Sequence, residues 1–430
     1  MNFWEEDMKL VNSIVGGAAI ASLASGAWAE ELSGELTILN WLGGTEGELI
    51  IALEEAFAAK HPDVTISDIN PSAGGGDARA GIRSALLSGE SFDLLLNTWP
   101  SFEKELIDAG LLQSWDGQWE SRGWSNALSD SWRNLATYDG STYGVYFLAG
   151  NRSGLWYRPD VFAAAGIDSE PQSWDDYLAT FPKLAANDVQ PVSIGARSWA
   201  TTEWFENMIL KSAGADYARS LAAHDGAKWT DPQVTAVFDL WRGMLEANCC
   251  ESTEKMLAMH WPDTADAVMR DGTAGTMLIG AWANQRAAGE YGQAPGEDYS
   301  FFQFPAVDAA HANTMSIDGK NWLLMDGAKD VKLAGAFIDF VLSEEGSNII
   351  ANLNIATPSA NVDTSKYDPI VAKYVAAYSG ADVVFVLDDL LPAELSGLFR
   401  TSLQNFLQDP SPENVAKIQA ALEAKANEIY

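Results

Sequence analysis

Between residues 35 and 97 the chain alternates between short apolar segments and segments with helical periodicity, and this alternation limits the fold more than any other feature. Strands are predicted at residues 35–41, 64–67 and 92–97, with one helix ending at His61-Pro62 and another at residues 79–87. This order is typical of an α/β layer built on a parallel sheet. Ligands bind such sheets at the carboxyl ends of the strands, where the loops at residues 41–46, 71–77 and 97–99 are predicted.

The 430 residues are enough for two or three domain-sized units, and the chain beyond residue 145 is richer in predicted helix. The sequence contains no internal repeat and no low-complexity linker. We therefore expect any domains to be joined by ordered segments that cross from one to the other.

The chain carries a large excess of negative charge, with 26 Lys and Arg against 60 Asp and Glu and a formal net charge of -34. Such a surface repels phosphate backbones and anionic lipids, so we expect no nucleic-acid partner. The four His are isolated in the sequence, and two Cys are too few for a disulfide scaffold, so we expect no metal and no cofactor. Cys249 and Cys250 are adjacent, which is compatible with two thiols and equally with a vicinal disulfide.

The N-terminal segment has the features of a secretory signal peptide covering residues 1–29. An apolar stretch at residues 10–27 runs into Ala27-Trp28-Ala29, which is an A-x-A cleavage pattern. Residues 5–7 are acidic where a signal peptide is basic, so Met8 is the favoured start. The stretch is short and Gly-rich for a membrane span, and no Cys follows it for lipid attachment. We expect an exported protein that is free in the periplasm.

The sequence shows no motif that is typical of an enzyme. It lacks a Gly-x-Ser-x-Gly elbow, a His-Glu-x-x-His zinc motif and a phosphate-binding loop with Gly-Lys-Ser/Thr. Neighbouring acids such as Asp175-Asp176 and Asp388-Asp389 suggest the carboxylate pair of a glycosidase. Adjacent residues of a helix point about 100° apart, however, so such a pair does not flank one bond. We expect no enzymatic activity, with a secreted glycoside hydrolase as the alternative.

Tryptophan and polar side chains recur together in the predicted loops of a chain that has 17 Trp. Aromatic rings cover the C–H faces of a sugar, while charged and amide groups bind its hydroxyls. A neutral hydroxylated ligand also tolerates an acidic pocket better than an anion does. For stacking on a sugar we predict Trp41, Trp99, Trp199, Trp282 and Trp322. For binding its hydroxyls we predict Glu46, Asp77, Asn97, Asp318 and Lys320, with Tyr146 near a hinge.

Some of these residues keep a second interpretation. Asp77 is placed equally well to cap the helix that begins near Arg79. Arg152 is suited to an anionic group of a modified sugar, and it is also suited to pairing with a surface carboxylate, which we favour. Any single Trp is more often a core residue than a ligand contact, whereas the whole set of loop Trp residues is not expected to be core.

A series of motifs follows in order along nearly the whole chain after the signal peptide. They are Leu36-Thr37-Ile38-Leu39-Asn40-Trp41 with Glu46, residues 71–77, residues 140–145, Leu155-Trp156-Tyr157-Arg158-Pro159-Asp160 with residues 164–167, Trp174-Asp175-Asp176, residues 272–277 and Gly280-Ala281-Trp282. This series resembles the extracellular solute-binding proteins of ABC transporters, in their carbohydrate-binding family 1. Residues 74–77 and Ser316-Ile317-Asp318 are similar to the glucose/mannose-binding branch. Asn40-Trp41 and Gly43-Gly44-Thr45-Glu46 depart from the paired tryptophans and the Ser-Gly-Gly-Glu loop of that branch.

The resemblance implies an α/β fold of the two-lobed periplasmic binding protein type II, with a hinge of two or three crossing segments. The crossings are expected near residues 143–150, 300–317 and 352–359. The expected lobes are lobe one at residues 30–145 and 306–354, and a helix-rich lobe two at residues 146–305 and 355–430.

The resemblance also implies a function without turnover. The protein is expected to capture a monosaccharide or small glycoside in the cleft between the lobes and to close about the hinge. The closed form is then expected to deliver the carbohydrate to the membrane permease subunits of an ABC importer. We expect a monomer. Within the binding class, the alternative is a receptor for a polyol or an acidic sugar derivative.

Overall fold

The structure is a computed structural model that describes residues 32–71, 78–378 and 380–430. The predicted signal peptide, the start at Met8 and the predicted site residue Asp77 lie outside these residues. The strands are β1 (Gly34–Leu39), β2 (Val64–Ile69), β3 (Leu94–Asn97), β4 (Leu112–Gln113), β5 (Thr137–Tyr138), β6 (Ser141–Thr142), β7 (Gly144–Asn151), β8 (Gly154–Tyr157), β9 (Gln190–Val192), β10 (Ala274–Leu278), β11 (Ser300–Gln303), β12 (Thr314–Met325) and β13 (Asp382–Phe385).

Helices occupy most of the remaining described residues. They are α1 (Gly44–Lys60), α2 (Ala78–Leu87), α3 (Pro100–Asp108), α4 (Asp116–Trp119), α5 (Trp124–Ala127), α6 (Asp130–Leu135), α7 (Pro159–Ala164), α8 (Trp174–Leu178), α9 (Phe181–Ala185), α10 (Thr202–Ala213), α11 (Ala215–Ala223), α12 (Pro232–Glu246), α13 (Thr253–Ala258), α14 (Trp261–Ala265), α15 (Trp282–Gln285), α16 (Val331–Leu342), α17 (Glu344–Asn352), α18 (Pro369–Tyr378), α19 (Leu387–Leu390), α20 (Ala393–Gln408) and α21 (Pro412–Ile429). A 3₁₀ turn at Trp199–Thr201 precedes α10.

The first sheet has seven strands among the described residues, with the order β13-β12-β3-β1-β2 and with β4 and β7 also paired to β12. β1 runs parallel to β2 and β3, so that Gly34 lies opposite Val64 and Ile38 lies opposite Leu94. On one face of these strands the apolar residues are buried beneath α1 and α16, while Leu39 and Leu95 pack with residues of α2 and α3. This part of the structure confirms the predicted α/β layer with parallel strands.

The second sheet, as far as the chain is described, has four strands in the order β11-β8-β10-β9. β8 is antiparallel to both β10 and β11, whereas β9 is parallel to β10. Helices α10, α12, α20 and α21 bury a second core against this sheet, and Phe205, Phe238 and Phe406 belong to it. The molecule is therefore built from two α/β units with separate cores.

The chain passes between the two sheets more than once. Arg152 and Ser153 connect β7 of the first sheet to β8 of the second. The chain returns between β11 and β12, and it leaves the first sheet again after α17, where the amide of Ala149 donates to the carbonyl of Ala356 at 2.9 Å. The first connection comes just after the crossing expected near residues 143–150, because β7 continues to Asn151, and the lobe boundaries stay a prediction.

Strand β12 is much longer than the strand predicted at residues 320–325. Its twelve residues, Thr314–Met325, are all buried. Because a strand of this length extends past β3, it pairs with four neighbours, β3, β4, β7 and β13. β13 comes from a segment assigned to the second lobe, and it lies in the first sheet, parallel to β12.

Cys249 and Cys250 form a vicinal disulfide, which resolves the choice that the sequence left open. The carbonyl of Cys249 accepts hydrogen bonds from the amide of Val192 at 2.8 Å and from Nε2 of Gln190 at 2.7 Å. The turn after α12 is therefore attached directly to the edge strand β9.

The abundance of tryptophan is explained in large part by core packing. Eight Trp side chains in the described residues are less than 2% exposed: Trp115, Trp119, Trp124, Trp156, Trp204, Trp229, Trp241 and Trp322. Within the same residues, no helix has both the length and the apolar character needed to cross a membrane. The described part of the chain also contains no group of three or more His, Cys, Asp or Glu arranged to hold a metal ion.

Candidate ligand-binding cleft

A narrow cleft lies where the first sheet faces the helices of the second. Its walls come from both sides: α1, β7 and β12 on one side, and α15 and α18 on the other. The lining residues include Glu46, Gly150, Trp282, Gln285, Asp318, Lys320 and Tyr374. The open volume between them is about 20 Å³, which is about the space of one water molecule. The two walls are therefore almost in contact.

Lys320 and Glu46 form the ion pair at the centre of the first-sheet wall. Nζ of Lys320 lies 2.8 Å from Oε1 of Glu46. Burial alone would lower the pKa of Lys320, but Glu46 and Asp318 outweigh it and raise that pKa above its ordinary value. Glu46 reaches this position because α1 begins at Gly44 and places Glu46 in its first turn.

Asp318 and Lys320 share one face of β12 because side chains of a strand alternate. Both are buried, with 4% and 6% exposure. Asp318 packs against β7 at Gly150, where an added Cβ would lie 1.9 Å from Oδ1 of Asp318. Glycine is therefore required at this position for the carboxylate to occupy its place.

Arg152 lies behind the cavity and carries two further ion pairs. Its guanidinium is 2.7 Å from Oε1 of Glu203 and 3.4 Å from Oδ2 of Asp318. Burial raises the pKa of Glu203 to about 7, although the charge of Arg152 and its hydrogen bond work to lower it. Neither sequence-based alternative for Arg152 named this role, because its partners are buried carboxylates rather than a surface acid or a ligand.

Trp282 forms the aromatic part of the opposite wall. Its ring centroid lies 4.8 Å from the guanidinium carbon of Arg152 and 5.7 Å from the ring centroid of Trp199. Trp199 does not line the cavity, and its ring lies 5.4 Å from the same guanidinium carbon. Trp282 also packs on Gly280, where an added Cβ would be 2.1 Å from the Trp282 ring.

Trp41 and Trp99 form a second aromatic pair that belongs to the first-sheet side. Their ring centroids are 4.8 Å apart, and Nε1 of Trp41 donates to the carbonyl of Leu96 at 3.0 Å. The guanidinium of Arg79 lies 5.6 Å from the Trp99 centroid. This pair does not line the narrow cavity.

Asn97 and Tyr146 are buried in the first-sheet side and do not reach the cavity. The amide nitrogen of Asn97 donates to Asn321 Oδ1 at 3.1 Å, and its oxygen accepts from the amide of Trp99 at 3.1 Å. Tyr146 packs on Trp132, and burial raises its pKa well above the ordinary value. The contacts of both side chains are with other residues of the protein, and their predicted part in ligand binding stays a prediction.

Trp322 also differs from its predicted role as a stacking ring. It shares the β12 face of Asp318 and Lys320, but it lies one step further along the strand, beneath α16. Its ring is fully buried and stacks on Phe147 with centroids 5.1 Å apart. Alternation along β12 puts the three side chains on one face, whereas the position further along the strand puts Trp322 into the core.

Sequence reasoning did not single out Gln285 or Tyr374 as cavity residues. Gln285 follows Trp282 by three positions on α15, which is a helical spacing that could have identified it. Its Nε2 donates to the carbonyl of Asn354 at 3.3 Å, and its buried Oε1 has no hydrogen-bond partner among the described residues. Tyr374 arrives from a distant helix, and no local pattern marks it.

The architecture defines a class of protein: two α/β units on separate sheets, with crossing segments and a polar and aromatic cleft between them, as in two-lobed solute receptors. The chain belongs to the bacterial extracellular solute-binding protein family, whose profile matches residues 43–348. The predicted family and the predicted fold are thereby confirmed.

Relatives with assigned names are distant but cover most of the chain. The α-glucosides-binding periplasmic protein AglE of Rhizobium meliloti is 24% identical over 348 residues, covering 76% of this chain and 75% of its own. The osmoprotective compounds-binding protein GgtB of Synechocystis sp. is 22% identical over 335 residues, covering 74% and 77%. The named family and these relatives are binding proteins rather than enzymes.

Solved structures give the same fold. The bacterial solute receptor AcbH, described with an exclusive preference for β-D-galactopyranose, has a TM-score of 0.82 at 21% identity and covers 92% of this chain and 99% of its own. A chitin oligosaccharide binding protein has a TM-score of 0.79 at 20% identity and covers 92% and 99%. At such identities the likeness concerns the fold alone.

Proposed function

We propose that this chain is the periplasmic receptor of an ABC importer and that it captures a neutral monosaccharide or small glycoside between its two lobes. Glu46, Trp282, Asp318 and Lys320 are the proposed direct contacts, and Gln285 joins them. The lobes would close on the sugar about the crossing segments, and the closed monomer would be recognised by the permease subunits. Export through a cleaved signal peptide and release without a lipid anchor are part of the same proposal.

The charge balance of the cleft is the observation that carries this proposal. The cations Lys320 and Arg152 are held by three carboxylates, those of Glu46, Glu203 and Asp318. An anionic ligand would therefore meet cations that are already paired, together with an excess carboxylate. A neutral ligand with hydroxyls can donate to the carboxylates and accept from Lys320 without a net charge of its own.

The remaining features of the cavity agree with a hydroxylated ligand. Trp282 offers an apolar ring beside the charged pair, and the Oε1 atom of Gln285 is a buried acceptor with no partner among the described residues. A ligand hydroxyl would satisfy that acceptor, whereas an apolar ligand would leave it without a hydrogen bond. The sugars named for AglE and AcbH support a carbohydrate by analogy.

A calorimetric and thermal-shift comparison tests the ligand class. We expect D-glucose, D-galactose or a disaccharide of them to raise the Tm and to release heat on binding, with no product formed. D-glucitol tests the polyol alternative. D-glucuronate and D-galacturonate test the acidic alternative, because each has nearly the shape of its parent sugar and adds a carboxylate. Tighter binding of an acid than of its parent sugar, or cleavage of a glycoside, would contradict the proposal.

A further inference from the structure

Arg152 lies outside the cavity lining and contacts residues of both walls of the cleft. Its guanidinium binds Glu203 on α10 and Asp318 on β12 of the first sheet. The same group lies over the rings of Trp199 and Trp282, which belong to the second-sheet side. Asp318 and Trp282 are both cavity-lining residues. One side chain therefore touches a ligand-facing residue of each wall.

The backbone of Arg152 is fixed as firmly as its side chain. Its amide donates to the carbonyl of Ser316 on β12 at 2.9 Å, and its carbonyl accepts from Nδ2 of Asn207 on α10 at 2.9 Å. The residue lies in the connection between β7 and β8, which is a crossing between the two sheets. Arg152 is thus attached to both sides through main chain and side chain.

Stability alone is a weak reason for such an arrangement. Removing a guanidinium and two carboxylates from water costs several kcal/mol per ion, and buried ion pairs are often replaced by apolar groups without loss of stability. A planar guanidinium with fixed partners is, however, well suited to hold an acidic and an aromatic side chain in one geometry. The arrangement fits positioning better than it fits stabilisation.

We propose that Arg152 is a positioning residue that holds Asp318 and Trp282 in the ligand-binding arrangement and joins the two walls of the cleft. The part of this inference that concerns sugar rests on the proposed function. The part that concerns the walls does not, because the contacts join them without a ligand. Replacing Arg152 should therefore change both the affinity for sugar and the dimensions of the ligand-free protein.

The test compares R152Q and R152K with the wild type, and R242Q is the matched control. Arg242 is likewise an arginine with an ion pair, to Asp239 at 2.5 Å, but it is only partly buried and lies on α12, away from the cleft. Small-angle X-ray scattering of the ligand-free proteins gives the radius of gyration. Calorimetry with D-glucose and D-galactose gives the affinity of each protein. The substitution D318N is measured both in the wild type and in R152Q.

We expect R152Q to have a larger radius of gyration without ligand and at least tenfold weaker binding, with R152K intermediate. The control R242Q should match the wild type in both measurements, even if its Tm falls. D318N should weaken binding at least tenfold in the wild type and less than threefold in R152Q, because Asp318 is no longer held in place. A purely structural role for Arg152 does not produce this non-additivity.

Wild-type affinity and wild-type dimensions in R152Q, with only a lower Tm, would overturn the inference. If R152Q does not fold, the same outcome in R152K would overturn it. If the wild type binds neither D-glucose nor D-galactose, the proposed function is contradicted for these sugars. The scattering of the ligand-free proteins still tests whether Arg152 joins the two walls. An unchanged radius in the variant then refutes that role, and a larger radius supports it.

Discussion

Nζ of Lys320 lies 2.8 Å from Oε1 of Glu46, so the central strand β12 is joined to the first turn of α1 at the wall of the cleft. Glu46 comes from the N-terminal end of the helix, where a carboxylate is favoured by the positive end of the helix dipole. The helix and Lys320 therefore both favour a carboxylate at the position of Glu46. A ligand hydroxyl that binds this pair can accept from the ammonium and donate to the carboxylate.

Asp318→Ala should weaken sugar binding by about 1–3 kcal/mol, because it removes an acceptor and leaves buried donors without a partner. Isothermal titration calorimetry measures the change directly. Asp326→Ala is the control, since Asp326 lies on the solvent-exposed turn after the same strand. Wild-type affinity in Asp318→Ala would show that the ligand binds elsewhere.

Trp282→Ala and Trp322→Ala should separate a ligand contact from a core residue. We expect Trp282→Ala to weaken sugar binding tenfold or more, which is about 1.4 kcal/mol, while the protein stays folded. Trp322→Ala creates a cavity beside Phe147 and should lower the free energy of unfolding by about 3–5 kcal/mol. Its remaining folded fraction should bind sugar normally. Calorimetry and urea denaturation measure the two effects, and the reverse pattern would contradict the assignment.

Gly280→Ala should weaken sugar binding, because the added Cβ would lie 2.1 Å from the ring of Trp282 and displace it. Gly397→Ala is the matched control. It lies in α20 with no atom within 4 Å of the added Cβ, and it should stabilise the protein by about 0.5–1 kcal/mol through helix propensity. Binding and Tm measured on both variants test the prediction, which equal affinities would refute.

Glu103 should make the protein less stable as the pH rises. Burial raises the pKa of Glu103 from 4.5 to about 8, although Asn321 and Asn97 donate hydrogen bonds that lower it. Between these two values the native state keeps a proton that the unfolded state has released. Stability from this group is therefore complete below about pH 4.5 and is lost as the pH rises to about 8.

The expected decrease in the free energy of unfolding is about 1 kcal/mol per pH unit in that window. Glu103→Gln does not ionise and should remove this part of the slope, as measured by urea denaturation at several pH values. Glu105→Gln changes the same charge at a more exposed position of the same helix and should leave the slope in place. Equal slopes in wild type and Glu103→Gln would contradict the assignment.

The alternation of strands and helices was sufficient to predict the α/β layer and, with the order of motifs, the family. Local periodicity did not predict the full length of β12, because its first half is stabilised by pairing with β13, which is distant in sequence. The same limit applies to β13 itself, which joins the first sheet from a segment assigned to the second lobe.

The structure brings only some of the predicted site residues together. Glu46, Trp282, Asp318 and Lys320 line one cleft, and their contact with a ligand stays a prediction. Asn97 and Trp322 do not line it, because the groups that bury them, Asn321 and Phe147, come from other segments. Arg152 could not be assigned from sequence, since Glu203 and Asp318 reach it only in the folded chain.

Strand β12 sets the spacing of the two charged groups of the first-sheet wall. Asp318 and Lys320 are two residues apart on a strand that pairs with four others, so their separation is about 7 Å along the strand and does not depend on loop conformation. The acceptor Asp318 and the donor Lys320 are therefore held at a fixed spacing. A receptor of this design can change its preferred ligand through the residues of α1 and α15 that face these two groups, while their spacing stays the same.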